Sequence, residues 1–342
     1  MRILNLEGTY FLNEFKKAGH HVLSIGYDDI CDLKLEKFLM PLELINFLKA
    51  KNFFPDIVVW NDVCKPPAIL GFELLPCLTI GFSIDQYCNP WHVPFSACFD
   101  LFLVAQKDYL SIFKQNNEYT QIEWLPLFFD PKRAFDSGGK RDIPISFVGT
   151  LDGVYNRNRR SFLEACQKKL PLVILQGNYQ PIYSRSKIVL NQSAAGELNF
   201  RIFEAAACGA VVLTEDVENG LRDLFEIEKE IVVYKRDNVK SAVKKAKEIL
   251  KSDRLEKIAL AGKEKVYKYH QVKNRVEFIL TKAKNLLSLK AYKKRLCYKQ
   301  KVLQELAKVF YFLSLDEEIN IPITVRKDYF VLAKKIESMQ KL

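Results

Sequence analysis

The residues with the clearest chemical pattern lie between Ser186 and Glu215, in the sequence SKIVLNQSAAGELNFRIFEAAACGAVVLTE. The pattern predicts a strand, a loop of small and polar residues, a helix from Phe200, and a second, buried strand. A loop that leads into a helix presents free backbone N–H groups and the positive end of the helix dipole, which favours anionic ligands such as diphosphates. Arg201 and Glu204 fall in the first turns of this helix. They would place a cation for phosphate and a carboxylate for hydroxyl groups beside that anion site.

The same two residues have a simpler interpretation. At i,i+3 spacing, Arg201 and Glu204 could form an ion pair on a helix surface, which contributes only about 0.2–0.5 kcal/mol. The sequence around them favours the ligand-binding interpretation. Gly209 stands where a helix ends in the left-handed conformation, and an apolar strand follows it directly.

Further candidate ligand-binding residues follow other predicted strands. Gly149 ends one strand, and a polar loop with Arg157 and Arg160 then opens a helix, which is a second arrangement that favours a bound anion. A basic helix start on the surface is the alternative. Gly177 ends the next strand and could let a nucleotide base approach the backbone. Asn191 ends the strand before the first loop, where it either contacts a ligand or caps that loop.

In the first half of the chain, candidate proton acceptors follow predicted strands. Asp85 comes soon after an apolar run and His92 follows it closely; ligands of open α/β sheets bind at such strand ends. A carboxylate or a histidine near neutral pKa can accept a proton from a substrate. Both residues could instead be structural, as a loop-capping aspartate and an aromatic-packed histidine. Glu7 is a further candidate, whereas Asp62 is more typical of turn chemistry.

The alternation of short apolar strands with helical segments predicts an α/β protein made of two Rossmann-like, doubly wound domains. We expect an N-terminal domain over residues 1–130 and a turn-rich linker over 131–143. A second domain over 144–283 and a basic helical extension over 284–342 complete the prediction. Late helices are predicted at Val239–Lys251, Leu255–Tyr269, Leu289–Leu313 and Val325–Met339.

The run Arg-x-Phe-Glu-Ala-Ala-Ala-Cys-Gly, which begins at Arg201 and precedes an apolar strand, resembles the donor-binding motif of GT-B glycosyltransferases. It is most similar to the group named after the spore-maturation protein CgeB, of the group 1 glycosyl transferase type. Ser-Lys-Ile-Val-Leu-Asn before the loop, Gly220-Leu221 with Phe225 after it, and His270 in a late helix fit the same group. The resemblance covers roughly residues 143–280 well and the first half loosely.

This resemblance implies roles for several residues. Glu204 would hold the ribose hydroxyls of a nucleotide diphosphate-sugar, and Arg201 with the loop amides would hold the diphosphate. Similar enzymes have an arginine in the loop after Gly149, which Arg157 matches best, with Arg160 as the second choice. Many retaining members carry two glutamates with seven residues between them, but here Glu197 and Glu204 have six between them, which puts a retaining mechanism in doubt. A lone His270 is most often structural.

The composition limits the other possibilities. The 342 residues carry a net charge of +11, which is uneven: residues 1–234 have 24 Lys and Arg against 29 Asp and Glu, and residues 235–342 have 28 against 12. The basic last third suggests peripheral contact with an anionic membrane surface or simply solvated lysine-rich helices. Eight scattered cysteines, four histidines and no Asp-x-Asp in a suitable loop argue against a metal site. No apolar run is long enough to span a bilayer. Most of the cysteines are expected to be reduced core residues, so a cytoplasmic protein is expected.

From these observations and the resemblance, we expect a metal-independent sugar transferase. It would use a nucleotide diphosphate-sugar as co-substrate, without another cofactor, and Asp85 or His92 as the base. The acceptor would be a cell-envelope glycan, a lipid-linked molecule or a protein. The alternatives are a non-catalytic nucleotide-sugar-binding protein and, less consistent with a tail that lacks aromatic-interleaved basic patches, a nucleic-acid-binding protein.

Overall fold

The structure is a computed structural model that describes residues 1–115, 118–317 and 321–339 of the chain. The chain divides into two compact units. Unit 1 contains Met1–Leu125 together with Val276–Leu342, and unit 2 contains Pro126–Arg275. Each unit is built on one parallel β-sheet, as the alternation of strands and helices predicts.

Unit 1 has a seven-stranded sheet whose central strands are apolar on both faces, as expected when helices cover both sides of a parallel sheet. Its strands are β1 (Arg2–Glu7), β2 (His21–Gly26), β3 (Leu33–Lys34), β4 (Ile57–Asn61), β5 (Leu78–Ser83), β6 (Leu101–Val104) and β7 (Gln121–Trp124), and its first helices are α1 (Leu12–Lys17), α2 (Pro41–Ala50), α3 (His92–Phe95) and α4 (Leu110–Gln115). The strand order is β3-β2-β1-β4-β5-β6-β7. The order reverses between β1 and β4, so the topological switch point, where α/β sheets bind ligands, lies at the ends of these two strands.

Unit 2 has a five-stranded parallel sheet. Its strands are β8 (Ile143–Val148), β9 (Leu172–Leu175), β10 (Ser186–Leu190), β11 (Val211–Glu215) and β12 (Val232–Tyr234), and its helices are α5 (Arg159–Gln167), α6 (Gln180–Tyr183), α7 (Phe200–Ala207), α8 (Leu221–Leu224), α9 (Val239–Leu250) and α10 (Leu255–Tyr269). The order β12-β11-β10-β8-β9 reverses between β8 and β10, which is the switch point of this sheet.

The strand, loop, helix and strand predicted from Ser186 to Glu215 are confirmed as β10, α7 and β11, and β10 pairs with β11 in parallel. Helix α7 ends as the sequence predicts. Gly209 has φ +76°, and the amides of Gly209 and Ala210 donate to the carbonyls of Ala206 and Ala205, which is the Schellman pattern.

Four helices follow α10. They are α11 (Val272–Ser288), α12 (Tyr292–Cys297), α13 (Lys299–Leu315) and α14 (Ile323–Met339). The apolar faces of α13 and α14 join the unit 1 core, which includes Trp60, Phe95 and Phe99 from the first part of the chain. The sequence predicts residues 284–342 as a separate extension; the structure instead joins the described part of this range to the N-terminal core, because these helices bury their apolar faces there.

The predicted linker over residues 131–143 also differs from the structure, which places this segment inside unit 2. Arg141 donates hydrogen bonds to the carbonyls of Tyr183, Ser186 and Cys208, and Asp136 pairs with Lys263 at 3.1 Å. Proline and glycine mark irregular backbone correctly, but irregular backbone can pack against a domain as firmly as a helix does.

Candidate functional site

The residues predicted to bind an anion lie at the switch point of the unit 2 sheet. Gly149 directly follows β8, and Asn191 directly follows β10, and these two strands are neighbours. Arg201, from the first turn of α7, reaches both of them. The structure therefore brings together three of the seven residues predicted for the donor.

The guanidinium of Arg201 is fixed from several sides. Nη1 donates to Oδ1 of Asn191 at 2.7 Å, and Nε lies 3.2 Å from both the Val148 carbonyl and the Tyr183 hydroxyl. The guanidinium carbon lies 4.4 Å from the centre of the Phe147 ring, in cation–π contact. Nη2 has no hydrogen-bond partner among the residues that the structure describes. Arg201 is thus an oriented cation whose Nη2 can still donate hydrogen bonds to a ligand.

Gly149 leaves the space that this cation occupies. A Cβ at position 149 would lie 2.3 Å from Nη2 of Arg201, closer than any real contact of this kind. Any other residue here would force the guanidinium or the loop to shift. The glycine therefore does more than end a strand, since it lets the cation reach the edge of the sheet.

Asn191 is fully buried and organises the strand ends. Its Nδ2 donates to the Thr214 hydroxyl at 2.9 Å, its carbonyl accepts from the Tyr234 hydroxyl at 2.8 Å, and its Oδ1 receives Arg201. The sequence leaves two roles open for Asn191, contact with a ligand and capping of the loop. The structure shows a different one, because Asn191 positions Arg201.

Glu204 lies one turn after Arg201 on α7 and is half-buried. Burial raises the pKa of its carboxyl group, while a hydrogen bond from Tyr179 and the charges of Arg201 and Arg133 act in the opposite direction. Arg201 and Glu204 form no ion pair within 4 Å in the described part of the chain, so the surface-pair interpretation is not what the structure contains. The carboxylate has a phenolic partner and retains some exposure.

The loop between β10 and α7 is held by two carboxylates. Glu197 accepts the backbone N–H groups of Ala194 at 2.8 Å and Ala195 at 2.6 Å. Glu215, at the end of β11, accepts the N–H and the hydroxyl of Ser193 at 3.0 Å and 2.7 Å. The loop amides expected to hold a diphosphate are therefore bound to carboxylates here. Glu215 is a residue that the sequence interpretation missed.

The arginines after β8 separate into two groups. Arg157 is exposed and donates to the Val154 carbonyl, and Arg160 is exposed and pairs with Asp152. Arg159 is buried instead: it donates to the Thr150 carbonyl at 3.0 Å and to the Gln192 side chain at 2.9 Å. It joins the loops after β8 and β10, and its guanidinium carbon lies 5.9 Å from the Phe147 ring centre.

Arg159 could have been found from the sequence. Phe162, Leu163 and Cys166 stand three, four and seven positions after it and are buried on one face of α5. Helical periodicity therefore places Arg159 on the inward face, whereas Arg157 and Arg160 fall outside it. Gly177, the remaining predicted residue, follows β9, is exposed, and faces open space.

The candidate residues of unit 1 lie at the carboxyl ends of their strands. Glu7 ends β1 and Asp62 directly follows β4, the two strands that flank the switch point. Asp62 is fully buried, and its carboxylate accepts the N–H groups of Cys64, Ile84 and Asp85. It therefore ties the loop after β4 to the loop after β5, which agrees with its predicted turn role.

Asp85 is half-buried, and it is fixed through its backbone. Its N–H donates to Asp62 at 3.1 Å, and its carbonyl accepts from the side-chain amide of Asn89 at 3.0 Å. Of the two residues predicted as the base, Asp85 is the one with solvent access.

His92 is fully buried at the start of α3. Nδ1 lies 2.8 Å from the Ser83 hydroxyl, Nε2 lies 3.7 Å from the Asp62 carboxylate, and the ring packs against Trp60 and Trp91. Burial lowers the pKa of the imidazole. These contacts match the aromatic-packed alternative given for this residue.

Glu7 is buried in a left-handed conformation, with φ +64°. Its carboxylate accepts Nε1 of Trp60 and the N–H of Ala68, each at 2.9 Å, and burial raises its pKa to about 8. His270 is buried against Phe203 and Phe225, and burial followed by the charge of Arg275 lowers its pKa to about 3. Neither residue is open to solvent.

Across the described ranges, no group of three or more His, Cys, Asp and Glu side chains is arranged to hold a metal ion. Nor is any helix in those ranges long and apolar enough to cross a membrane.

Part of the chain is similar to a known protein family. Residues 150–281 match the model of a family described as glycosyl transferase-like. This range contains Asn191, Arg201 and Glu204. No curated protein sequence matches the chain significantly.

Solved structures show a similar fold at low sequence identity. HepE from Anabaena, in complex with UDP and glucose, has a TM-score of 0.65 and 12% identity, over 84% of this chain and 100% of that one. A glycosyltransferase from Rickettsia africae has a TM-score of 0.63 and 14% identity, over 84% and 98%. The pneumococcal O-GlcNAc transferase GtfA, in complex with UDP and GlcNAc, has a TM-score of 0.53 and 13% identity, over 72% of this chain and 60% of GtfA. The fold shared with these proteins is GT-B.

Proposed function

We propose that this chain, which has the GT-B fold, is a glycosyltransferase that moves a sugar from a nucleoside diphosphate-sugar to an acceptor hydroxyl. The acceptor class that we propose is a cell-envelope glycan, a lipid-linked molecule or a protein. The observation that carries the proposal is the geometry around Arg201. An oriented guanidinium, whose Nη2 has no hydrogen-bond partner among the described residues, lies at the sheet switch point, one helical turn from a half-buried carboxylate.

Arg201 suits the diphosphate of the donor, and Glu204 suits its ribose. Arg201 and the N-terminus of α7 would hold the diphosphate, because a guanidinium and helix amides both favour phosphate oxygens. Glu204 would accept hydrogen bonds from the ribose hydroxyls. HepE and GtfA were both solved with UDP, so a uridine nucleotide is the first donor to test.

Departure of the diphosphate leaves negative charge on its oxygens, and fixed cations stabilise that charge most. Arg201 would supply this stabilisation, and the exposed Arg133, which lies near enough to influence the pKa of Glu204, is a second cation for it. We propose a reaction that does not require a metal ion. An unchanged rate after treatment with a chelator is the expected result.

For the base we propose Asp85, because it combines a position after a strand end with a half-buried side chain and a backbone fixed by Asp62. Its carboxylate would accept the proton of the acceptor hydroxyl. His92 and Glu7, both buried and hydrogen-bonded, would support the local structure.

Donor binding is tested by thermal unfolding with UDP, GDP, dTDP and CDP and with their sugars. A ligand that binds only the folded state raises the midpoint temperature. At a hundredfold excess over Kd it adds about 2.7 kcal/mol to the free energy of unfolding. We expect one nucleotide to do so, and Arg201→Ala to abolish the shift. Arg185→Ala is the matched control, because Arg185 is an exposed arginine of the same unit that pairs with Asp142. If no compound of the panel raises the unfolding midpoint of the wild type, the proposal is contradicted.

The base is tested by Asp85→Asn, with transfer to water or to an acceptor as the readout. We expect kcat to fall by about 10²-fold or more, while the thermal shift by the donor persists. His92→Gln should lower the unfolding midpoint and keep the kcat of the remaining folded protein. Full activity of Asp85→Asn would remove Asp85 from the reaction. Donor binding without transfer by the wild type would favour a non-catalytic nucleotide-sugar-binding protein.

We further propose that the C-terminal helices contact an anionic membrane surface. Residues 235–342 carry the excess of basic residues, and Leu315, Ile323, Phe330 and Val331 of α13 and α14 are exposed apolar side chains. Flotation with phosphatidylserine-containing vesicles tests this proposal against phosphatidylcholine vesicles as the control. Binding to the anionic vesicles alone, lost as salt rises, is the expected result.

A further inference from the structure

Two cysteines meet at the carboxyl edge of the unit 1 sheet. Cys64 lies in the loop after β4 and is exposed, and Cys88 lies in the loop after β5 and is buried. The side-chain amide of Asn89 donates to both sulfurs, at 3.4 Å from Sγ of Cys88 and 3.9 Å from Sγ of Cys64. Two separate loops thus bring a pair of thiols to the same side-chain amide.

The environment makes the two thiols unequal. The hydrogen bond with Cys88 lowers the pKa of the Cys64 thiol to about 7. The same hydrogen bond, with burial, raises the pKa of Cys88. An exposed thiol that ionises near neutral pH reacts with oxidants, and a neighbouring thiol then resolves the product. Cys64 therefore has the properties of the attacking residue, and Cys88 those of the resolving one.

We propose that Cys64 and Cys88 form a redox-modification site, which a hydroperoxide converts into an intramolecular disulfide. The Cys64 thiolate attacks one peroxide oxygen, the O–O bond breaks, and hydroxide or alkoxide leaves, so that Cys64 becomes a sulfenic acid. Sγ of Cys88 then attacks Sγ of Cys64, the S–O bond breaks, and the hydroxyl leaves as water with the proton of Cys88. The two sulfurs lose two electrons and the peroxide gains them.

The disulfide would change the surroundings of Asp85. In the reduced protein, the Cys88 thiol donates to the Asp85 carbonyl at 3.4 Å, and the Asn89 amide donates to the same oxygen at 3.0 Å. Oxidation removes the thiol donor and ties the Asp85 loop to the loop after β4. This consequence rests on the proposed role of Asp85 in transfer, whereas formation of the disulfide does not.

The experiment treats the reduced 342-residue chain with a small excess of hydrogen peroxide, alkylates the remaining thiols, and maps the peptides without reduction. Trypsin leaves both cysteines on one peptide, because Lys65 is followed by proline. A protease that cleaves before aspartate separates them onto peptides 62–84 and 85–99. We expect these two peptides to be joined after oxidation and separate after treatment with a thiol reductant.

Variants assign the link, because each of the two peptides holds a second cysteine, Cys77 and Cys98, and both of these are buried. Cys64→Ser and Cys88→Ser should each abolish the joined peptide. Cys297→Ser is the control, since Cys297 is exposed but lies on α12, and it should leave the joined peptide unchanged. Because the Cys88 thiol lowers the pKa of Cys64, alkylation of Cys64 at neutral pH should be faster in the reduced wild type than in Cys88→Ser.

Three results would overturn the proposal. One is recovery of Cys64 and Cys88 as free thiols after oxidation, and another is a joined peptide that persists in Cys64→Ser. The third is accumulation of Cys64 as sulfinic acid without a link to Cys88. Peptide mapping needs no sugar transfer, so a failure of the proposed function would leave this test intact. In an active preparation, oxidised protein should transfer more slowly while its thermal shift by the donor is unchanged.

Discussion

Oδ1 of Asn191 accepts a 2.7 Å hydrogen bond from Nη1 of Arg201, so a neutral side chain orients the cation of the site. This choice of partner has an electrostatic consequence. A carboxylate in the same place would hold the guanidinium equally well but would neutralise its charge. Because Asn191 is uncharged, the positive charge of Arg201 stays available for an anionic ligand.

Asn191→Asp tests this arrangement with almost no change in shape. We expect the aspartate to pair with Arg201 and to weaken binding of the nucleotide diphosphate by at least about tenfold, or 1.4 kcal/mol. The measurement is the dissociation constant of the nucleotide identified in the thermal screen. Asn178→Asp, at an exposed position of the same unit, should leave that constant nearly unchanged. Equal affinity in the Asn191 variant and the wild type would show that Arg201 does not contact the diphosphate.

Gly149→Ala tests the space beside the same guanidinium. The added Cβ would lie 2.3 Å from Nη2 of Arg201, so the arginine must move away from the sheet edge. We expect the fold to survive at a cost of about 1–3 kcal/mol, as in other overpacked sites, and nucleotide binding to weaken markedly. Both are read from thermal unfolding with and without nucleotide. Gly139→Ala is the control, because a Cβ there meets nothing within 4 Å.

The local structure of this site can be predicted from the sequence. The strand, loop, helix and Gly209 terminus of the β10–α7–β11 segment follow from local preferences that the structure obeys. Asn191 was less predictable, because its role depends on where Arg201 reaches across the sheet. Glu215 was missed for the same reason, since its partner Ser193 lies 22 positions away. Contacts between distant residues leave no periodic signal in the chain.

Helical periodicity indicates which face of a helix is buried, but it does not indicate what lies against that face. The inward position of Arg159 was therefore predictable, because its spacing from Phe162, Leu163 and Cys166 places it on the buried face. The packing partners of α13 and α14 were not predictable. Their apolar faces are visible in the sequence, yet only the structure shows that these faces complete the core around Trp60 and Phe95.

Glu7→Gln should change how stability depends on pH. Burial raises the pKa of Glu7 to about 8 in the folded protein, from an ordinary value of 4.5. Between these values the folded state holds the proton and the unfolded state does not, so the stability contributed by this group falls as pH rises. The slope for one such group is about 1.4 kcal/mol per pH unit. The free energy of unfolding, measured from pH 5 to 8 with urea, should therefore fall less steeply in the variant; parallel curves would contradict the buried, protonated carboxyl.

Arg295→Met tests the attachment of α12 to the rest of unit 1. Arg295 is almost fully buried; Nε pairs with Oδ1 of Asp100 at 3.1 Å, and the terminal nitrogens donate to the carbonyls of Glu73, Leu75 and Cys77. Removing the cation leaves a buried carboxylate and several carbonyls without their donor. We expect a loss of about 3–5 kcal/mol in the free energy of unfolding.

The double variant Arg295→Met/Asp100→Asn separates the charge from the packing. It removes the uncompensated carboxylate, so it should recover part of the loss, and the recovered part measures the cost of the buried charge. Arg185→Met breaks an exposed arginine–aspartate pair and should have little effect on stability, because solvent screens that pair. If Arg295→Met unfolds at the same urea concentration as Arg185→Met, then α12 is not anchored through this arginine. A large loss confined to the Arg295 variant would instead establish that the late helices contribute to the stability of the N-terminal fold.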